Sequence, residues 1–354
     1  MKIEKTYDSM SIIKGLGAIT VCSSHILDCF VWGNGNKPII WESLFSKPIL
    51  WYFLWSGGFQ VSMFCLISGF FAWKKEIANV KDLVIAIIKR YLNFVTLIFA
   101  SDFIMYLLKL FNLMPLEQGG IVLANTNMPY THQVTIIGMM FSSLKLDTSI
   151  NGALWMIKYL FIGNCVIYVL KYLKNYIKKW ILILCVVTLI IALFANSCVF
   201  ATICGIILLE ILIKLPESKN EIRNKLLYGT LLIVLAYLSQ NPFGLMDKSH
   251  DIYVCVICVV ICVCVVYIIK GLKNITWICK YLKNESIAVY CVHIPVIYSV
   301  GLFSYIFLGQ YLSNINLITL LVYGVSMLLV MVVAYLYQYL FDRYRLKLIL
   351  GLFK

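Results

Sequence analysis

Of the 354 residues, 62% are hydrophobic and only 13% charged, and the mean hydropathy is +0.90. A soluble domain carries roughly a quarter of its residues as Asp, Glu, Lys and Arg, so the composition excludes a soluble globular fold. The net charge of +14 would suit a nucleic-acid partner, but the basic residues fall between apolar runs rather than in a patch, which excludes that class too.

The apolar runs are each close to the roughly 20 residues needed to cross a bilayer. They lie near 11–32, 49–73, 83–111, 152–170, 180–196, 198–213, 226–240, 252–269, 284–308 and 316–341. The expected fold is therefore all-α, a polytopic membrane protein of about ten transmembrane helices whose partner is the lipid bilayer. With both termini in the cytoplasm, 24 of the 30 Lys and Arg residues fall on the inner side. The six others are Lys37, Lys47, Lys109, Lys145, Lys158 and Lys248. That asymmetry is the positive-inside rule, and an even number of spans satisfies it. Residues 1–354 are expected to form a single integral-membrane domain without a soluble appendage. The first run is long and polar in the middle, unlike a cleaved signal peptide.

The first span contains KGLGAITVCSSH, from Lys14 to His25. Eleven residues at 1.5 Å place His25 about 16 Å beyond Lys14, and eleven steps of about 100° return both to one helix face. With Lys14 at the inner edge, His25 lies near mid-membrane, and Asp28, three residues on, is within reach of its imidazole. In the third span Asp102 lies about 18 Å past Arg90. A long outer loop follows, 112–151, containing Pro115, Gly119-Gly120, Pro129 and His132. Its 134–144 stretch is apolar but too short to cross, which suits a re-entrant or interfacial helix. The loop as a whole reads as a lid or acceptor-binding surface, or as a plain connector.

After the loop come Trp155 and Lys158, the latter about 19 Å above the inner boundary at Lys171. Glu210 is expected to pair with Lys214 in its own helix. The thirteen cysteines lie mostly within spans. Cys255, Cys258 and Cys262 share a face, but no His or carboxylate accompanies them, so they read as helix-contact residues rather than a metal site. In the ninth span His293 lies about 15 Å in from Lys283. Pro295 removes a helical hydrogen bond there and frees the Cys291 carbonyl, which needs another partner. His132 and His250 are assigned to outer loops.

Ionisable groups inside a membrane are costly and mark function by default. His25, Asp102, Lys158 and His293 all come to one level, just outside the midplane. The alternatives are structural: a histidine bonding a neighbouring helix, a histidine bracing the Pro295 kink, and an Asp102–Lys158 ion pair. A neutral imidazole beside a carboxylate can take a proton from a hydroxyl and later return it. No serine stands in a nucleophile elbow, and no metal-binding motif is present. The cations Lys14, Lys74, Lys75, Lys89 and Arg90 suit a phosphate-bearing donor or, equally, ordinary inner-face charge.

Four stretches then occur in a telling order: Lys14 with His25; GGFQVSMFCLISGFF, ending in Ser68-Gly69-Phe70; GALWMIKYL at 152–160; and ESIAVYCVHIPV at 285–296, with Tyr290 and His293. Together with Lys89-Arg90 they resemble the membrane acyltransferase-3 family of bacterial glycan O-acyltransferases, over nearly the whole chain. The resemblance implies a bacterial cytoplasmic-membrane enzyme that moves an acyl group, acetyl before succinyl, from cytoplasmic acyl-CoA to a hydroxyl of an exported or lipid-linked glycan. It implies His25 as general base or transient acyl acceptor, oriented by Asp28 or another carboxylate. Lys14, Arg90 and Lys75 then hold the phosphates of acetyl-CoA, and Ser68-Gly69 permits close helix approach. Trp155 stacks on the sugar, with Lys158 and Asp102 as further acceptor contacts. Tyr290 and His293 polarise the acceptor hydroxyl or the thioester carbonyl. Two positions depart from the family pattern: lysine replaces arginine at 14, losing the bidentate fork, and Asn93 stands where a second arginine is common. A glycan exporter or lipid-linked sugar flippase is the competing class; a polysaccharide polymerase would carry arginine in its outer loops, and none is present there.

Overall fold

The computed structural model describes residues 2–32, 38, 40–41, 57–115, 135–214, 221–238, 246–270 and 277–351. Among them every regular element is helical. The helices are α1 (Lys2–Leu27), α2 (Gly57–Lys74), α3 (Val80–Leu110), α4 (Ile136–Leu144), α5 (Met156–Leu173), α6 (Ile181–Ala195) and α7 (Ser197–Lys214). They continue with α8 (Glu221–Leu238), α9 (Asp247–Lys270), α10 (Trp277–Val296), α11 (Leu302–Tyr311), α12 (Ile315–Tyr337) and α13 (Arg343–Gly351). Wider π-helical turns follow α1 at Asp28–Trp32, α10 at Ile297–Gly301 and α12 at Gln338–Asp342.

Seven helical stretches among the described residues are long and apolar enough to cross a membrane. Two more, Phe59–Lys74 and Ile181–Ala195, are apolar but shorter. The molecule is an all-helical membrane protein. Helix α1 begins well before Lys14, and its first turns are packed, with Ser9 and Met10 both fully buried. Lys14 therefore sits mid-helix rather than at a helix start.

The chain divides into two compact units. The first comprises Met1–Gly17, Leu50–Tyr91 and Lys158–Ser286; the second comprises Ala18–Ile49, Leu92–Ile157 and Ile287–Lys354. In the first unit α2 and α7 touch backbone to backbone. A Cβ on Gly69 would run into the Thr202 carbonyl, and one on Gly205 into the backbone of Leu66 and Phe70. Where the surrounding lipid is as apolar as leucine, such close van der Waals approach is a main source of helix association. Cys65, Cys198, Cys204, Cys255, Cys258 and Cys262 are all buried free thiols on α2, α7 and α9. Among the described residues no group of three or more His, Cys, Asp or Glu side chains is arranged to hold an ion.

In the second unit the end of the long loop folds as α4, a nine-residue helix. Thr135 caps it by accepting the Gly138 N–H at 3.0 Å. Met139 and Ser143 face inward, whereas Ile137, Met140 and Phe141 are exposed. Too short to span and apolar on its open side, α4 has the character of an interfacial helix. Residues 116–134, with Gly119-Gly120, Pro129 and His132, lie outside the described residues.

Two local expectations are corrected. His250 stands in the first turn of α9 rather than in a loop. Glu210 accepts the Trp73 indole N–H at 3.4 Å, a contact between α7 and α2 rather than the pairing expected within its own helix.

Candidate active site

The second unit brings together most of the groups expected to do chemistry. His25 closes the last turn of α1, and Asp28 opens the π-helical turn that follows. The His25 Nδ1 lies 3.7 Å from Asp28 Oδ2, both side chains being a little over a quarter exposed. An imidazole facing a carboxylate through Nδ1 carries its proton there, which leaves Nε2 as the free lone pair. The separation is looser than a hydrogen bond, as is common for catalytic pairs without substrate.

The His25 ring stacks on that of His293, with centroids 5.2 Å apart and planes 27° from parallel. His293 is fully buried on α10, and its Nδ1 is 3.2 Å from the Val289 carbonyl. A carbonyl only accepts, so Nδ1 of the neutral ring is the protonated nitrogen, and the buried Nε2, which has no hydrogen-bond partner among the described residues, is a lone pair. Two imidazoles thus stand face to face, each with Nε2 as the basic atom. Through Nε2, neutral His293 in this tautomer accepts a hydrogen bond from a hydroxyl but cannot donate one to a thioester carbonyl. Tyr290, 5.8 Å from His293 by ring centroid, donates its hydroxyl proton to the Ala153 carbonyl. Its proton is already committed, so of the roles expected for this pair, accepting from a hydroxyl fits the geometry best.

The expected consequence of Pro295 is present, and its remedy is local. The Ser101 hydroxyl donates to the Cys291 carbonyl at 2.7 Å. Ser101 Oγ in turn accepts from Asn151 Nδ2 at 2.8 Å. The Asn151 Oδ1 caps the short 3-10 turn Gly152–Leu154 by accepting the Ala153 N–H at 3.2 Å. Next along α3, Asp102 is fully buried, and neither carboxylate oxygen makes a hydrogen bond of good geometry. Asp102 thus forms no ion pair among the described residues. Trp155 is 47% exposed, directly after the capped turn.

In the first unit a separate polar cluster surrounds Arg90. Its Nη2 donates to Ser68 Oγ at 2.7 Å, and Ser68 also bonds the fully buried Asn164 amide. Lys75 lies over the Tyr168 ring at 5.6 Å. Burial first, and then the like charges of Lys89 and Arg90, push the Lys75 ammonium below its ordinary value against a pull from Asp82. Cations that depress one another in this way form a site that gains by taking up an anion. Lys14 is half-buried, and Lys158 is exposed on α5.

Reading charge alone passed over Ser101, Asn151 and Asn164. Each is a neutral polar residue in or at the end of an apolar run, and a search for interhelical hydrogen-bonding side chains would have marked them.

One family model matches, described as an acyltransferase domain, and it covers residues 7–337. No curated protein and no solved structure matches the chain. The match takes in every residue of the histidine site and of the Arg90 cluster, and the chain belongs to the acyltransferase-3 family of membrane acyltransferases.

Proposed function

We propose that this acyltransferase moves an acyl group, acetyl first among candidates, from acyl-CoA to a hydroxyl of an exported or lipid-linked glycan, with His25 as general base. The observation that carries the reading is the His25 ring, directed by Asp28 through Nδ1 and stacked on His293, inside a chain of this family. The acceptor hydroxyl gives its proton to His25 Nε2 while its oxygen bonds to the thioester carbonyl carbon. The tetrahedral adduct collapses with cleavage of the C–S bond, and the departing thiolate takes the proton back from the imidazolium. Asp28 favours that imidazolium, and the unpartnered Nε2 of His293 accepts from an acceptor hydroxyl.

The phosphates of the donor are assigned to Lys14, Lys75 and Arg90, with Ser68 holding the Arg90 guanidinium. The sugar is assigned to Trp155, with Asp102 and Lys158 as further polar contacts; buried carboxylates and exposed aromatic faces are the usual means of holding sugar hydroxyls and ring faces. The positive-inside count supports ten spans with both termini cytoplasmic, in a bacterial cytoplasmic membrane. The deciding experiment replaces His25 by Ala, confirms membrane insertion, and measures the acylated fraction of the surface glycan by mass spectrometry. Loss of acylation is expected; wild-type acylation would overturn the mechanism. A thermal shift with acetyl-CoA tests the donor, because an exporter has no reason to respond.

A further inference from the structure

We infer that Ser101 and Asn151 are positioning residues, a polar clasp that holds the Tyr290–His293 segment of α10 in the register where the two imidazoles stack. The inference deepens the acyl-transfer reading and rests on it for the identity of the reacting groups.

The clasp is a closed circuit within the second unit. Pro295 has no N–H, so the carbonyl of Cys291, four residues earlier, lacks its helical donor. Ser101 supplies one at 2.7 Å. The same hydroxyl oxygen accepts from Asn151 at 2.8 Å, and Asn151 accepts from Ala153. Tyr290, the residue before Cys291, returns to α10 from the other side by donating to the Ala153 carbonyl. Two successive residues of α10 are thereby tied to one capped turn, one directly and one through Ser101. His293 follows two residues later. Ser101, Asn151, Cys291 and His293 are all fully buried.

The backbone of this segment departs from a regular α-helix after the break. Beyond Pro295 it widens into the π-helical turn, and the Pro295 carbonyl is taken by Ser299 Oγ at 2.6 Å. Side-chain hydroxyls therefore serve the carbonyls on both sides of the break. Removing the Ser101 hydroxyl withdraws the donor that replaces the missing Pro295 N–H at the Cys291 carbonyl, and α10 shifts toward another. A shift of that kind carries the His293 ring with it, because its Nε2 has no partner among the described residues to hold it back.

The test uses the full chain in lipid nanodiscs, with the rate of diethyl pyrocarbonate modification at His293 and His25 read by peptide mass spectrometry. Wild-type His293 should be protected. Ser101→Ala and Asn151→Ala should raise its modification rate by on the order of tenfold, Ser101→Thr should restore protection, and Ser101→Cys, a weaker donor, should fall between. Thr319→Ala, which removes a buried hydroxyl in α12 bonded to the Ile315 carbonyl of its own helix, should leave the rate unchanged. On acyl transfer, Ser101→Ala should lower kcat by on the order of tenfold or more with the KM for acetyl-CoA unaltered. Unchanged His293 protection in Ser101→Ala, or equal deprotection by Thr319→Ala, would overturn the clasp. A wild-type chain that acylates no glycan would overturn the acyl-transfer reading instead, while the protection pattern still decides the clasp.

Discussion

Single side chains carry the chemistry, and tautomers decide what each can do. His25 and His293 present lone pairs at Nε2 because their Nδ1 atoms face a carboxylate and a carbonyl respectively. His25→Ala should therefore cost at least about a hundredfold in acyl transfer, read as acylated glycan at matched protein level. Asp28→Asn should keep the fold but lower kcat, because an amide does not stabilise the imidazolium that forms on His25. Asp102 is a buried carboxyl whose oxygens lack well-formed hydrogen bonds among the described residues. Asp102→Asn removes the burden of burying an unpaired acid, so thermal stability should hold or rise while the KM for the acceptor increases. Lys75 gives a pH dependence with a defined sign. Its ammonium is already pushed down by burial and by Lys89 and Arg90, and a bound polyanion pulls it back up. Acetyl-CoA affinity should then weaken as pH rises through the lowered value, and Lys75→Ala should flatten that curve in titrations across alkaline pH. The histidines, Asp28, Arg90 and the need for a donor at Cys291 were legible in the sequence, because charge and proline stand out in an apolar run. The neutral partners Ser101, Asn151 and Asn164 were not, since a hydroxyl or amide in a span carries no periodic signal until its contact is known.

Helices set how those groups meet. Residues α2 and α7 bring together in the first unit depend on glycine at the contact, where backbone rather than a flexible side chain would meet an added Cβ. Gly69→Ala should destabilise by about 1–3 kcal/mol in thermal or denaturant melts, because a carbonyl oxygen cannot rotate away. On α10 the proline and the serine are alternatives for one carbonyl. Pro295→Ala restores an N–H to the Cys291 carbonyl, so Ser101→Ala should cost less in that background, with a coupling of about 1 kcal/mol in a double-mutant cycle. Helix positions followed from hydropathy, whereas the π-helical turns after Leu27, Val296 and Tyr337 did not. Each is a widening of one turn that composition does not encode, and the first of them sets the approach of Asp28 to His25.

Across the molecule, the chain is an acyltransferase of the membrane, with seven helical stretches long and apolar enough to cross it among the described residues. A ten-span arrangement predicts that a fluorescent reporter fused after Lys354 matures in the cytoplasm and that a cysteine placed in the 112–151 loop is labelled from outside. A periplasmic C-terminus would refute that topology. Composition and the period of apolar runs by themselves determined the membrane environment, the helical class and the candidate acids and bases. They do so because lipid forbids unpaired backbone and penalises charge wherever the chain crosses it. Only the tertiary structure decided that His25 stacks on His293, that Asp102 has no ion pair among the described residues, and that Ser101 and Asn151 serve the carbonyl Pro295 leaves open. Those outcomes depend on which residues far apart in sequence share a neighbourhood, and a one-dimensional pattern of hydropathy and charge does not contain that information.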